Sequence, residues 1–206
     1  GQPGQIGSLA WVPLPALPAP GPGEVVLSIQ AAGLNFRDLM WAQGLLPEDA
    51  LMDGFAGPTL GMECAGVVEA AGPGVALRPG QAVFGFAPSA FSTHALTRAE
   101  ALAPLPAGMA PEAATTVPVA FITAAYALET LARIRPGERV LIHGGAGGVG
   151  LAALQIARAA GALVAATAGS AEKRAFLRAA GADLVLDSRD AGFADALRAA
   201  WPEGVD

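Results

Sequence analysis

The sequence predicts a mixed fold, a small β domain that is partly a barrel followed by an α/β domain on a parallel sheet, and three stretches carry that prediction. An apolar, β-branched run at 140–142 breaks into the turn Gly144-Gly145-Ala146-Gly147-Gly148-Val149-Gly150, after which Val149, Ala153, Ile156 and Ala160 recur at helical spacing. That order is strand, loop and helix N-terminus; a glycine-rich hairpin would be followed by alternation instead. Further on, Arg158-Ala159-Ala160-Gly161-Ala162 returns as Arg178-Ala179-Ala180-Gly181-Ala182, each with arginine in the last helical turn, glycine where the helix closes, and a strand behind it. Strand, helix, strand, helix, strand at that spacing demands parallel pairing. Upstream, short strand patterns separated by Gly and Pro turns replace the helical period.

In chain order, a proline-rich opening at 13–22 gives way to a strand at 24–31. Residues 33–41 read as a turn and short helix, and 43–59, rich in glycine and proline, as a loop. Strands are expected at 63–69, 81–86 and 90–96, with turns at 72–74 and 78–80. A change of composition after Pro104-Leu105-Pro106 marks the boundary, giving domains of 1–107 and 108–206. In the second, one helix begins at Pro111 and another runs over 119–131; strands at 163–167 and 184–186 and a helix at 193–201 follow the central strand. Three parallel strands are an unfinished nucleotide-binding sheet, so the C-terminus is read as a truncation, and Gly1 in place of methionine as the mark of an excised or processed piece.

Composition narrows the classes. With 53% apolar and 15% charged residues over 206 positions, the chain has far too much to bury for a disordered segment. The uncharged runs at 140–157 and 113–128 are interrupted by the glycine turn and by Pro118 with three threonines, so neither reads as a membrane span. No charged n-region with a short apolar core opens the sequence. Cys64 stands alone, which excludes a disulfide framework and a cysteine-based zinc site and points to a reducing, cytoplasmic setting. A net charge of −6 disfavours nucleic acid and anionic membrane as partners.

The glycine turn has the form a dinucleotide pyrophosphate needs. Gly144, Gly145, Ala146, Gly147, Gly148, Val149 and Gly150 let the backbone approach phosphate oxygens at a helix N-terminus, where free N–H groups and the macrodipole favour an anion. In NAD-specific folds an acidic residue ends the second strand and bonds the ribose 2′-hydroxyl. Here that place reads Ala166-Thr167-Ala168-Gly169-Ser170, followed by Lys173 and Arg174. The hydroxyls of Thr167 and Ser170 with two cations suit a 2′-phosphate, so NADPH is the expected cofactor, and Arg189 is a further candidate at the adenosine end. The competing account makes Lys173 and Arg174 ordinary solvated residues of a surface helix.

Four strings together give a resemblance: Gly33-Leu34-Asn35-Phe36-Arg37-Asp38, Thr59-Leu60-Gly61-Met62-Glu63-Cys64-Ala65-Gly66-Val67-Val68, Pro118-Val119-Ala120-Phe121-Ile122-Thr123-Ala124-Ala125-Tyr126-Ala127-Leu128, and His143 to Gly150. The chain resembles the medium-chain dehydrogenases/reductases, and more narrowly the enoyl reductase domains of modular polyketide synthases. The resemblance implies a GroES-like, partly barrelled substrate domain, then a Rossmann NADP-binding domain. It also implies NADPH-dependent reduction of a 2,3-enoyl thioester held on acyl carrier protein by phosphopantetheine, with ketoreductase and dehydratase domains as neighbours. Zinc-dependent relatives place a cysteine near Asn35 and a histidine where this chain has Met62, so no metal is expected. The resemblance further implies that the lysine and aspartate proposed as the family's proton donors would fall beyond Asp206.

Such a reduction needs hydride at Cβ, stabilisation of charge on the thioester oxygen and a proton for Cα. Asn35 and Tyr126 are the catalytic candidates, the first alternatively a turn-forming Asn and the second a core aromatic; Thr123, one turn from Tyr126, is a cofactor candidate because its helix borders the nicotinamide in the family. Arg37 and Asp38 are read as fixing the short helix, His143 as supporting the phosphate loop, His94 as structural, Glu63 as an internal hydrogen-bonding group and Cys64 as core packing. Arg133, Arg135 and Arg139 form a candidate docking patch for a carrier protein, or a solvated surface. Two other readings stand beside the synthase enzyme: a free-standing NADPH:quinone or enone reductase, and a non-catalytic structural remnant of a reductase domain.

Overall fold

A ten-residue strand, β1 (Glu24–Gly33), carries Val25, Val26 and Leu27 into the interior of the first unit. The protein is described by a computed structural model covering residues 4–47, 49, 52 and 54–206. α1 (Phe36–Ala42) follows, then β2 (Glu63–Ala71), β3 (Ala82–Phe86), β4 (His94–Arg98), β5 (Leu102–Pro104) and the short α2 (Pro111–Ala114). The five strands form one antiparallel sheet in the order β4-β1-β2-β3-β5. Val25, Leu27, Cys64, Val68 and Val83 make its core. Pairing of Gly33 with Glu63 sets the last residue of β1 beside the first of β2, which matters for the site.

Two expectations shift here. The strand anticipated at 90–96 starts only at His94, because Ala90 and Phe91 donate their N–H groups to Gly61 and Leu60 and are drawn away from β1. β5 was not anticipated, since three residues are too short to show alternation. The loop expected at 43–59 includes 48, 50, 51 and 53, which lie outside the described residues.

The chain divides into compact units Gly1–Pro118 and Val119–Asp206. The division falls later than residue 107 because α2 packs on β1 and β2. In the second unit α3 (Pro118–Ala125) widens into a π-helical turn, Tyr126–Leu131, where one continuous helix was expected. The helical stretch Pro111–Leu131 is long and apolar enough to cross a membrane by length and composition, with mean hydropathy 1.3.

Then come β6 (Arg139–Ile142), α4 (Gly148–Ala159), β7 (Leu163–Ala168), α5 (Ala171–Ala179), β8 (Leu184–Asp187) and α6 (Phe193–Ala200). The sheet β6-β7-β8 is parallel. Strand alternation decides its two faces: Val164 and Ala166 pack with Leu154, Ala157 and Leu177, while Ala165 packs with Leu186 and Leu197. Fully burying a leucine such as Leu154 or Leu177 is worth about 1.5–3 kcal/mol. Both repeated glycines close their helices in the left-handed region, Gly161 at φ +79° and Gly181 at φ +95°. The two repeats are also tied together, because Arg158 of the first donates to the carbonyl of Ala180 in the second (2.8 Å).

Candidate functional site

The loop between β6 and α4 is clamped to β7 by its own backbone. Gly145 N–H donates to the Thr167 carbonyl (2.9 Å) and Gly147 N–H to the Gly144 carbonyl (2.9 Å). Gly144 sits at φ +62°, where side chains are strained. A Cβ on Gly145 would stand 2.9 Å from the Cβ of Ala166, and one on Gly150 would stand 2.6 Å from the Gly144 carbonyl oxygen, so these two glycines serve close packing. A Cβ on Gly148 would meet nothing within 4 Å. The open side is therefore the start of α4, whose N-cap, Gly147, gives no side-chain cap. First-turn amides without intrahelical acceptors, at the positive end of a twelve-residue helix, fit a pyrophosphate. Gly145 and Gly147, expected as ligands, donate their N–H groups inside the loop, whereas the amides of Gly148, Val149 and Gly150 precede the first intrahelical bond, from Leu151 to the Gly147 carbonyl.

Thr167 requires a correction. It is fully buried, and its hydroxyl accepts the Gly144 N–H (3.3 Å) and lies 3.3 Å from His143 Nδ1. A hydroxyl so placed cannot meet a ribose phosphate; it braces the loop. His143 supports the same loop through Thr167, its ring edge-on to Phe193 at 5.5 Å.

At the end of β7, Ser170 caps α5 by accepting the Lys173 N–H (3.3 Å). The Arg189 side chain lies over Gly169, its Nε 3.0 Å from where a Cβ would be. Arg174, expected to face the cofactor, instead pairs with Asp187 (2.8 Å) and donates to the Ala168 carbonyl (3.1 Å). The other Asp187 oxygen accepts the Arg189 N–H (2.9 Å). Glu172, fully exposed, has its carboxyl held below the ordinary range by a hydrogen bond from its own backbone N–H and then by Ser170. The Ser170 hydroxyl is thus engaged by the Lys173 N–H and by Glu172, and Lys173 and Arg189 are the other two cations of this turn. Asp187 was missed because its strand was expected to stop at Leu186; the signal was the carboxylate of Leu186-Asp187-Ser188-Arg189, directly behind an apolar run.

The first unit holds a separate polar cluster. Asn35 Nδ2 donates to Glu63 (2.8 Å), and the Asp38 carboxylate accepts N–H groups from Asn35 and Gly61 (2.9 Å each). Asp38 and Glu63 are buried, and Arg37 donates to the carbonyls of Gly57 and Thr59, so this charged pair does fix α1. The Asn35 amide is thereby held by Glu63, while its neighbours Leu34 and Phe36 are exposed. On α3, the Thr123 hydroxyl donates back to the Val119 carbonyl (2.7 Å), and Tyr126 is exposed on the π turn rather than packed in the core.

Family models match over residues 21–122, described as an alcohol dehydrogenase GroES-like domain, and over 148–206, described as a zinc-binding dehydrogenase. The chain belongs to the medium-chain dehydrogenase/reductase superfamily. Among its relatives is erythronolide synthase EryA2 of Saccharopolyspora erythraea, 46% identical over 199 residues, covering 95% of this chain and 5% of that protein. The solved CurK enoyl reductase superposes with a TM-score of 0.93 at 40% identity, covering all of this chain and 63% of its own. The mycobacterial Rv1454c, solved complexed with NADPH, gives 0.83 at 35% identity over 99% of this chain and 62% of its own. The chain thus spans a small part of its synthase relative and under two thirds of the solved reductases. Its donor set does not fit the zinc of some superfamily members. Cys64 is buried, its thiol pushed up to about 12 by burial and then by Glu63, and among the described residues no three His, Cys, Asp or Glu side chains gather.

Proposed function

We propose that this chain is the enoyl reductase of a polyketide synthase, using NADPH to reduce the 2,3-double bond of an enoyl thioester that phosphopantetheine tethers to an acyl carrier protein. The observation that supports the reading is the turn beyond β7, which carries the cations Lys173 and Arg189 and where the strand-end carboxylate, Asp187, is already paired with Arg174. Likeness to synthase chains and to a solved enoyl reductase supplies the reaction class. The nicotinamide, when bound, supplies the hydride. The α4 amides would hold the pyrophosphate and the β7 turn the 2′-phosphate, fixing the dinucleotide at both ends. Among this chain's own groups, the exposed Tyr126 hydroxyl is the candidate donor of the Cα proton.

The test is NADPH-dependent loss of enoyl absorbance on crotonyl thioester, run beside a quinone. Turnover of the thioester alone supports the synthase assignment. Preference for the quinone indicates a free-standing quinone or enone reductase, and turnover of neither indicates a structural remnant. Tyr126→Phe should lower kcat while leaving the NADPH dissociation constant unchanged; unchanged kcat removes the tyrosine from the chemistry.

A further inference from the structure

In the parallel register of β7 and β8, Ala168 stands opposite Asp187. Neighbouring strands run about 4.8 Å apart. The Asp187 carboxylate is therefore one strand away from the place where NAD-specific folds carry their ribose-binding acid. Unpaired, it would repel a phosphate on that ribose. It is not unpaired, because Arg174 reaches it from α5 at 2.8 Å with both side chains partly sheltered, at 21% and 35% exposure. The same guanidinium is anchored on the Ala168 carbonyl, so it bridges the ends of both strands.

We infer that Arg174 is a specificity-determining residue that acts through Asp187: by neutralising that carboxylate it keeps the adenosine end of the site open to a 2′-phosphate. The inference rests on the NADPH reading above and goes beyond it, since it assigns Arg174 a role without contact to the cofactor. Asp187 in turn is a positioning residue, because its second oxygen holds the Arg189 backbone while the Arg189 side chain covers Gly169. Glu172 lies on the same turn, fully exposed, bonded to Ser170 and also lowered by the Arg174 charge; it is present in every variant compared below, so the recovery of the double variant isolates Asp187.

The experiment measures dissociation constants for NADPH and for NADH by calorimetry on the full chain, as wild type, Arg174→Ala, Asp187→Asn and the double variant. A lone carboxylate near the phosphate should weaken NADPH roughly tenfold in Arg174→Ala, with NADH within about threefold. The double variant should recover most of the NADPH affinity, because asparagine still accepts the Arg189 N–H but carries no charge. Asp187→Asn alone should bind NADPH at least as tightly as wild type. Failure of the double variant to recover overturns the inference and makes Arg174 a direct ligand; an unchanged Arg174→Ala, or equal weakening of both nucleotides, also overturns it. Wild type without preference for NADPH overturns the cofactor reading and this inference together. If Arg174→Ala does not fold, Arg174→Gln against Arg174→Lys makes the same comparison, with Lys keeping the preference and Gln losing it.

Discussion

Adding a methyl at Gly148 and at Gly150 should separate what the glycine loop needs for folding from what it needs for an anion. Gly148 opens α4, and its new Cβ would meet nothing within 4 Å, so alanine there gains the usual helical advantage over glycine. That advantage is about 0.5–1 kcal/mol, a rise in Tm of roughly 2–6 °C for a unit of this size. The same methyl enters the space in front of the first-turn amides. Displacing one charge-assisted hydrogen bond to a phosphate costs about 1.5–3 kcal/mol, so NADPH binding should weaken roughly 10- to 100-fold. At Gly150 the methyl lands 2.6 Å from the Gly144 oxygen and 2.7 Å from the Gly145 Cα, both backbone atoms that must retreat. Overpacking of that kind costs about 1–3 kcal/mol, so this variant should lose stability and binding together. Thermal unfolding without nucleotide gives the first quantity and titration calorimetry the second. A Gly148→Ala chain that is stabilised yet binds NADPH within twofold of wild type would refute the placement of the phosphate on these amides.

Three further outcomes are expected. Asp38→Ala removes the acceptor of two N–H groups at a site 2% exposed, which should cost about 3–5 kcal/mol by denaturant unfolding, with Asp38→Asn intermediate; a loss under about 1 kcal/mol would show that water replaces the carboxylate. Thr167→Val removes the buried brace between Gly144 and His143, and should weaken NADPH several-fold while changing stability by about 1 kcal/mol; unchanged affinity would make the brace dispensable. Cys64 keeps its proton in the folded chain up to about 12, whereas the unfolded thiol ionises near 9.0. The folded state then binds the extra proton, so stability falls as pH rises through that window, by up to about 1.4 kcal/mol per pH unit, and Cys64→Ala should flatten this slope in denaturant titrations.

The parts of this molecule that were legible in the sequence are those whose cause is local. Gly161 and Gly181 end their helices because the chain must turn left-handed there, and a glycine three residues past an arginine announces it. The strand, glycine loop and helix of the phosphate site are likewise a contiguous string, so the order of residues suffices to find them. Thr167 was misread, and the partner of Arg174 was missed, for the opposite reason. A hydroxyl at the end of a strand looks the same whether it faces a ligand or a neighbouring loop, and β7 turns that of Thr167 toward Gly144. A cation four residues into a helix likewise looks free until parallel register puts Asp187 beside Ala168. The Arg174–Asp187 pairing thus joins residues 13 positions apart on different elements through a strand alignment that neither string contains. A cofactor preference read from cations alone counts Arg174 as a ligand and leaves out its partner; on the inference drawn above, the positive character of that turn depends on Asp187 being paired.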